Sequence, residues 1–152
     1  VRYWLMKSEP SDVSIDDLAS FPGQRVAWYG VRNYQARNFM RDQMSPGDQV
    51  LFYHSSCPEP GIAGLAEVAC KGYPDATQFD AASKYHDPKA TPENPRWVNV
   101  DVQLVRKTRL LPLAELRSHP ELANLRILQR GNRLSITPVD PAEYAFILTL
   151  LS

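Results

Sequence analysis

Residues 49–69 read QVLFYHSSCPEPGIAGLAEVA, and their reading decides the fold class. Over 49–54 the chain alternates at the period of a strand, Leu51 and Tyr53 to one side, Val50, Phe52 and His54 to the other. The run 55–61 holds two prolines and a glycine, so it turns the chain directly into a second apolar strand over 62–69. Ala63, Gly64 and Ala66 in that strand imply close backbone approach or a barrel corner. Two strands in succession, with no helix between them, do not fit the regular strand–helix alternation of a doubly wound fold.

Working outward, RYWLM at 2–6 reads as an opening strand that stops at KSEP, leaving Lys7 and Ser8 at its end. Ser14 and Asp17 approximate a capping box for a short helix over 15–20, which Phe21-Pro22-Gly23 ends. Residues 28–44, WYGVRNYQARNFMRDQM, carry no acid before Asp42. Ala36, Phe39, Met40 and Met44 fall at helical spacing and predict a buried face, with Asn33 as the cap and Tyr34, Arg37 and Arg41 on the other side. Residues 72–96 carry four prolines and no period, so they read as a long ordered excursion. The clearest strand is 97–104, WVNVDVQL, with Val98, Val100, Val102 and Leu104 on one face. Short helices are predicted over 113–117 and 121–129, the latter with Leu122, Leu125 and Leu128 inward. A strand over 134–137 and a helix opened by Asp140-Pro141 finish the chain, with Tyr144, Ile147, Leu148 and Leu151 inward. This order predicts an α+β fold, a small mixed sheet or open barrel flanked by helices.

A chain of 152 residues, 43% hydrophobic and 22% charged, is expected to form a single domain over 1–152 with a real core. Lys+Arg and Asp+Glu balance at 17 each, so net charge says nothing about a polyanionic partner. The distribution is uneven: 103–133 hold Arg106, Lys107, Arg109, Arg117, Arg126, Arg130 and Arg133 against Glu115 and Glu121. Such a stretch permits a basic face, although a solvated charged surface is the commoner outcome. Two cysteines and no signal-like or 18-residue apolar run point to a soluble intracellular protein without a membrane partner.

The sequence holds no G-x-G-x-x-G, phosphate loop or G-x-S-x-G. His54 and Cys57 could serve as metal ligands or as a base and thiol, but no second ligand pair accompanies them, so a structural role is preferred and no metal or cofactor is assigned. Asp75, Asp80, Asp87 and His86 read as an ordinary polar loop. Trp28, Tyr29, Tyr34, Tyr53, Tyr85 and Trp97 stand at strand ends, helix starts or loops, where rings can line a cleft. Trp97 is expected to pack under a loop instead, and Tyr53 in the core. Interleaved Asn33, Gln35, Arg37, Asn38, Ser55 and Ser56 can hydrogen-bond a base edge or a phosphate.

Six motifs together carry a resemblance: YWLMKSEP at 3–10, WYGVRNYQARNFMR at 28–41, GDQVLFYHS at 47–55, PGIAG at 60–64, YHDPK at 85–89 and RGNRLS at 130–135. They resemble, in the same order and nearly end to end, the EVE domain family, which is related to PUA-like modules and YTH readers. The resemblance implies a PUA-like fold, a bent and partly closed mixed β-barrel flanked by helices. It also implies a non-catalytic, nucleic-acid-binding module whose pocket accepts a modified base turned out of DNA or RNA. By that resemblance Trp28 is one wall, and Lys7 and Ser8 lie near the floor. Asn33, Tyr34, Gln35, Arg37 and Asn38 line the rim or meet the backbone, Ser55 and Ser56 close the side, and Tyr85 with Asp87 forms the opposite wall. Tyr29 and Ser56 stand where the family often has an acid and an asparagine. The expected partner is nucleic acid carrying a modified base, with the protein monomeric, cytoplasmic in a bacterial stand-alone form and nuclear in a eukaryote. The competing expectations are an enzyme acting on a nucleobase or small molecule through His54, Cys57 and Asp87, and a protein-interaction module using the same cleft.

Overall fold

The computed structural model describes residues 1–132 and 134–151; Arg133, counted above in the basic stretch, lies outside them. Strands β1 (Tyr3–Ser8), β2 (Arg25–Ala27), β3 (Gln49–His54) and β4 (Gly61–Val68) precede a two-stranded ribbon, β5 (Tyr73–Pro74) and β6 (Val98–Asn99), and are followed by β7 (Asp101–Pro112) and β8 (Ile136–Val139). The main sheet runs β2-β7-β4-β3-β1-β8, with β2 and β8 as unjoined edges. β1 and β3 are parallel and every other pair in it is antiparallel. The parallel pair follows from its crossover, since the chain passes through two helices and β2 before returning as β3.

Register slips bend this sheet. One lies between Phe52 and Tyr53 in the β3–β4 pairing, and two lie between β4 and β7; such bulges add local twist and curl. Gly64 sits at the bend, where a Cβ would come within 2.6 Å of the Ile15 side chain. The small residues of β4 thus allow helix α1 (Ile15–Ser20) to lie directly on the strand. The result is the open, partly closed mixed barrel expected.

Alternation within the strands supplies two apolar faces. Leu5, Leu51, Tyr53 and Leu65 point into a core closed by α3 (Leu113–Arg117), by Leu122 and Leu125, and by Tyr144, Ile147 and Leu151 of α4 (Pro141–Leu151). Trp4, Met6, Val50 and Val68 point to the opposite face and meet Ala36, Phe39, Met40 and Met44, the predicted buried face of residues 34–44. That segment is α2 (Tyr34–Asn38) continued by a π-helical turn (Phe39–Gln43). Beside it, Phe52 and Ala63 pack with Ile15 and Leu18 of α1. Each side chain of this size contributes roughly 1.5–3 kcal/mol when fully buried, so helices cover both faces of the sheet.

Three predicted elements are corrected, the strand over 97–104 in two ways. β7 continues to Pro112 instead of ending near Leu104; past Gln103 it has no β2 partner, and Val105, Arg106 and Lys107 lie exposed on what has become a sheet edge, where charge is favoured. The strand over 97–104 is divided at Val100, because Asn99 pairs with Tyr73 and is buried while Val98 is only half-buried. The helix over 121–129 is instead two 3₁₀ turns, Pro120–Leu122 and Arg126–Leu128; leucines spaced three apart suit three residues per turn better than 3.6. The last strand shifts to Ile136–Val139, where edge position tolerates Pro138. Among the described residues no helix is long and apolar enough to cross a membrane.

Candidate nucleic-acid interface

The cleft opens where β1 and β3 end side by side. Lys7 and Ser8 pair with Tyr53 and His54 in the parallel ladder, so the residues just beyond, including Ser55 and Ser56, emerge beside them. The Ser55 amide donates to the Ser8 carbonyl at 3.0 Å, and the Lys7 amide to the Ser135 carbonyl at 2.8 Å. Residues 26–32 leave β2 along the other side, the Trp28 amide bonding Val100 O at 2.8 Å. Together with the loop bearing Lys84 and Tyr85 they enclose a cavity of about 540 Å³, within the usual range for small-molecule sites.

Rings and glycine shape one wall. Gly30 has φ +82° and its missing Cβ would lie 2.7 Å from the Tyr85 ring, so both the backbone conformation and the close approach require glycine. Tyr29 meets Tyr85 edge-on at 6.0 Å. Trp28 stands edge-on to Phe52 at 5.6 Å and packs on the core clusters containing Met40 and Leu18 while lining the cleft.

Arg32 fixes this wall. Its guanidinium donates twice to the Tyr85 carbonyl, at 2.7 and 3.1 Å, to Thr77 Oγ1 at 3.1 Å and to Asp75 at 3.2 Å. It also lies over the Tyr85 and Trp97 rings at 5.6 and 5.2 Å. Asp75 is fully buried and accepts further from the Gly30 and Thr77 amides and the Thr77 hydroxyl. Burial alone would raise its pKa; the Thr77 hydroxyl, those amides and Arg32 outweigh burial and hold it below the usual carboxylate range. The buried Gln78 amide ties the loop to the strand, donating to Asp75 O and Trp97 O and accepting from the Arg96 and Trp97 amides, all at 2.7–2.9 Å.

The polar floor is less committed. Burial lowers the pKa of the Lys7 ammonium, which makes no side-chain ion pair or hydrogen bond among the described residues. The Ser8 hydroxyl donates to Val13 O at 2.6 Å and keeps its lone pairs free for a donor. Ser56 has φ +54°, an uncommon conformation for a residue with a Cβ, and it turns the chain away from β3.

Of the twelve residues singled out in the sequence, Lys7, Ser8, Trp28, Ser55, Ser56 and Tyr85 line this cleft. The other six do not line it, and three of them, Tyr34, Arg37 and Asp87, gather at Trp97. Asn33 Oδ1 caps α2 by accepting from the Ala36 amide at 3.0 Å. Tyr34, half-exposed, stacks on Trp97 at 4.7 Å, with the Arg37 guanidinium 4.7 Å above the Tyr34 ring. Arg37 also donates to Asn38 Oδ1 and to Arg96 O at 2.8 Å, and Gln35 is exposed. Asp87 accepts from the Trp97 indole at 2.8 Å and from the Lys89 amide, which hold its pKa down. Trp97 therefore packs under the loop and Tyr53 in the core, as the sequence predicts. Tyr29, named among the rings able to line a cleft, lines it too; Arg32, Lys84, Glu9, Asp12 and Ser135 also line it without having been marked as site residues, and for Arg32 the available signal was its place inside the VRN motif.

His54 Nε2 accepts from the Ile15 amide at 3.1 Å and so serves the start of α1. Burial lowers its pKa, Lys107 adding to the shift and Asp16 opposing it. Cys57 and Cys70 are both free thiols. Among the described residues no group of three or more His, Cys, Asp or Glu side chains is placed to hold a metal ion.

Comparison with known proteins places these features in a family. The EVE domain model matches residues 2–150. Thymocyte nuclear protein 1 of Homo sapiens is 46% identical over 97% of this chain and 73% of its own length. A crystal structure of a Pseudomonas putida protein has a TM-score of 0.92 at 50% identity, covering 97% of this chain and 98% of its own. The human THYN1 protein, solved in complex with 5-methylcytosine containing DNA, has a TM-score of 0.91 at 45% identity and covers 99% of this chain and 97% of its own. The chain belongs to the EVE domain family, and its curled sheet with flanking helices is the PUA-like fold of that family.

Proposed function

We propose that the cleft between Trp28 and Tyr85 receives a modified base turned out of a nucleic acid, and that the protein reads the modification without transforming it. The observation that carries this reading is the convergence of two aromatic walls, two free serine hydroxyls and an unpaired Lys7 ammonium on one cavity of about 540 Å³. The DNA-bound human relative supports a methylated cytosine in DNA as the first candidate.

The energetics suit a reader. Turning a base out costs a few kcal/mol, and a stacked aromatic returns about 1–3 kcal/mol. Lys7 and the serines supply donors for the base edge, worth roughly 1.5–3 kcal/mol where a charge is involved. On this reading Asn33, Tyr34, Gln35, Arg37, Asn38 and Asp87 form the outer rim, where the exposed Tyr34 ring meets the strand beside the displaced base. The enzyme reading would need His54 as a base, yet its Nε2 lone pair is occupied by the Ile15 amide. On this reading the protein works in the cytoplasm of a bacterium, or in the nucleus of a eukaryote as the name of its human relative indicates for that protein.

Titration of two oligonucleotides of one sequence, with cytosine or 5-methylcytosine at a single position, tests the reading. The wild type should favour the modified strand, and Tyr85→Ala should weaken binding of that strand by about 5- to 150-fold through loss of the stacked ring. Equal, salt-insensitive, weak binding of both strands would sink it.

A further inference from the structure

A second cavity, also of about 540 Å³, adjoins the first and shares Lys7, Ser55 and Ser56 with it. Its charge is different in kind. The first cleft sets Lys7, Arg32 and Lys84 against Glu9 and Asp12. The second is lined by Lys7, Arg117 and Arg130, with no acidic residue among the described residues that line it.

Neither Arg117 nor Arg130 makes an ion pair among the described residues. Two other cations of the same basic stretch are neutralised locally, Lys107 by Asp16 at 2.7 Å and Arg109 by Glu115 at 2.6 Å; Arg106 and Arg126 are unpaired among the described residues but do not line the cavity. The turn that presents Arg130 is braced. Gln129 Nε2 donates to the Ala123 and Leu125 carbonyls, Asn132 Nδ2 to Arg126 O, and Asn132 Oδ1 accepts from the Leu134 amide. Arg117 stands at the end of α3, whose Leu116 is fully buried. Three unpaired cations held in one concavity repel one another, and an anion relieves that repulsion while accepting the forked guanidinium donors.

We infer that this second cavity is a phosphate site, and that it holds the phosphodiester next to the nucleotide whose base fills the first cavity. The inference rests on the base-reading proposal for its ligand, because the shared Lys7–Ser55–Ser56 saddle leaves the two cavities back to back. One strand therefore crosses the saddle, its base to the Trp28–Tyr85 side and its phosphate to the Arg117–Arg130 side. The acid-free cavity supplies affinity that is blind to the base, and the first supplies discrimination.

The test compares the full chain with Arg117→Gln/Arg130→Gln against three probes: 5-methyl-2′-deoxycytidine without phosphate, and the methylated and unmethylated oligonucleotides. Both arginines are exposed, and a melting curve verifies that the variant folds; the two single variants serve if it does not. The expected result is unchanged nucleoside affinity, a loss of about tenfold or more for both oligonucleotides alike, and a salt dependence shallower by roughly 0.7–0.9 for each phosphate no longer neutralised. Oligonucleotide binding and salt slope equal to wild type would overturn the phosphate site. Loss of the methylated-to-unmethylated ratio would overturn it too, placing the arginines at the base. Failure of wild type to bind the nucleoside would instead count against the base cleft, while the oligonucleotide arm still decides the phosphate site.

Discussion

His54 shows how a residue that looks chemical in the sequence is structural in the fold. Its neutral imidazole accepts the Ile15 amide at the start of α1, and burial lowers its pKa below the ordinary 6.5. The folded state thus binds fewer protons than the unfolded state in the window below pH 6.5, so stability is full above that value and falls as pH drops through the window. Melting temperatures measured from pH 8 to 5 should follow this course, and His54→Gln, which keeps an acceptor but does not titrate, should flatten it; an unaltered profile in the variant would exclude His54 as the cause. Lone His and Cys near a strand end carried that structural preference in the sequence already. Trp28 was legible as a ring ahead of a helix start, but its place after β2 and its packing on two core clusters were not, since Phe52 and Leu18 come from elements read separately. Arg32 escaped notice for the same reason: its partners Asp75, Thr77 and Tyr85 lie more than forty positions away.

Elements declared themselves where local chemistry was complete. The capping box at Ser14 and Asp17 and the Asn33 cap both form as the sequence predicts, because their donors and acceptors lie within three residues of each other. The two faces of Gln49–His54 were legible from alternation alone. The long segment after β4 was legible only as ordered, for its order comes from Gln78 and Asp75, two buried polar side chains that no periodicity marks. Gln78→Ala leaves the Arg96 and Trp97 amides without their partner and takes one of two donors from Asp75 O and from Trp97 O. It should lower unfolding free energy by at least about 1–3 kcal/mol in denaturant titration, with hydrogen exchange accelerated first at the Arg96 and Trp97 amides. An unchanged midpoint and unchanged protection there would show that the loop is anchored otherwise.

At the scale of the whole molecule, net neutrality conceals which cations are paired and which face a cavity. Lys7 and the arginines of the second cavity face concavities, whereas Arg25, Arg41, Lys107 and Arg109 are paired with neighbouring carboxylates. Composition hides this, since the balance of 17 against 17 is silent on which cations are paired. The fold places both concavities where β1 and β3 end side by side, so the parallel pairing that brings Lys7 and Ser8 beside Tyr53 and His54 also sets the position of the cleft. The central claim is that this cleft takes a modified base, and the most direct measurement is a titration of isotope-labelled protein with 5-methyl-2′-deoxycytidine followed by NMR. The account predicts saturable shifts at the Lys7, Trp28, Gly30, Ser55 and Tyr85 amides and at the Trp28 indole, with the α4 amides unmoved. No shift at saturating nucleoside, or shifts centred away from those residues, would contradict it.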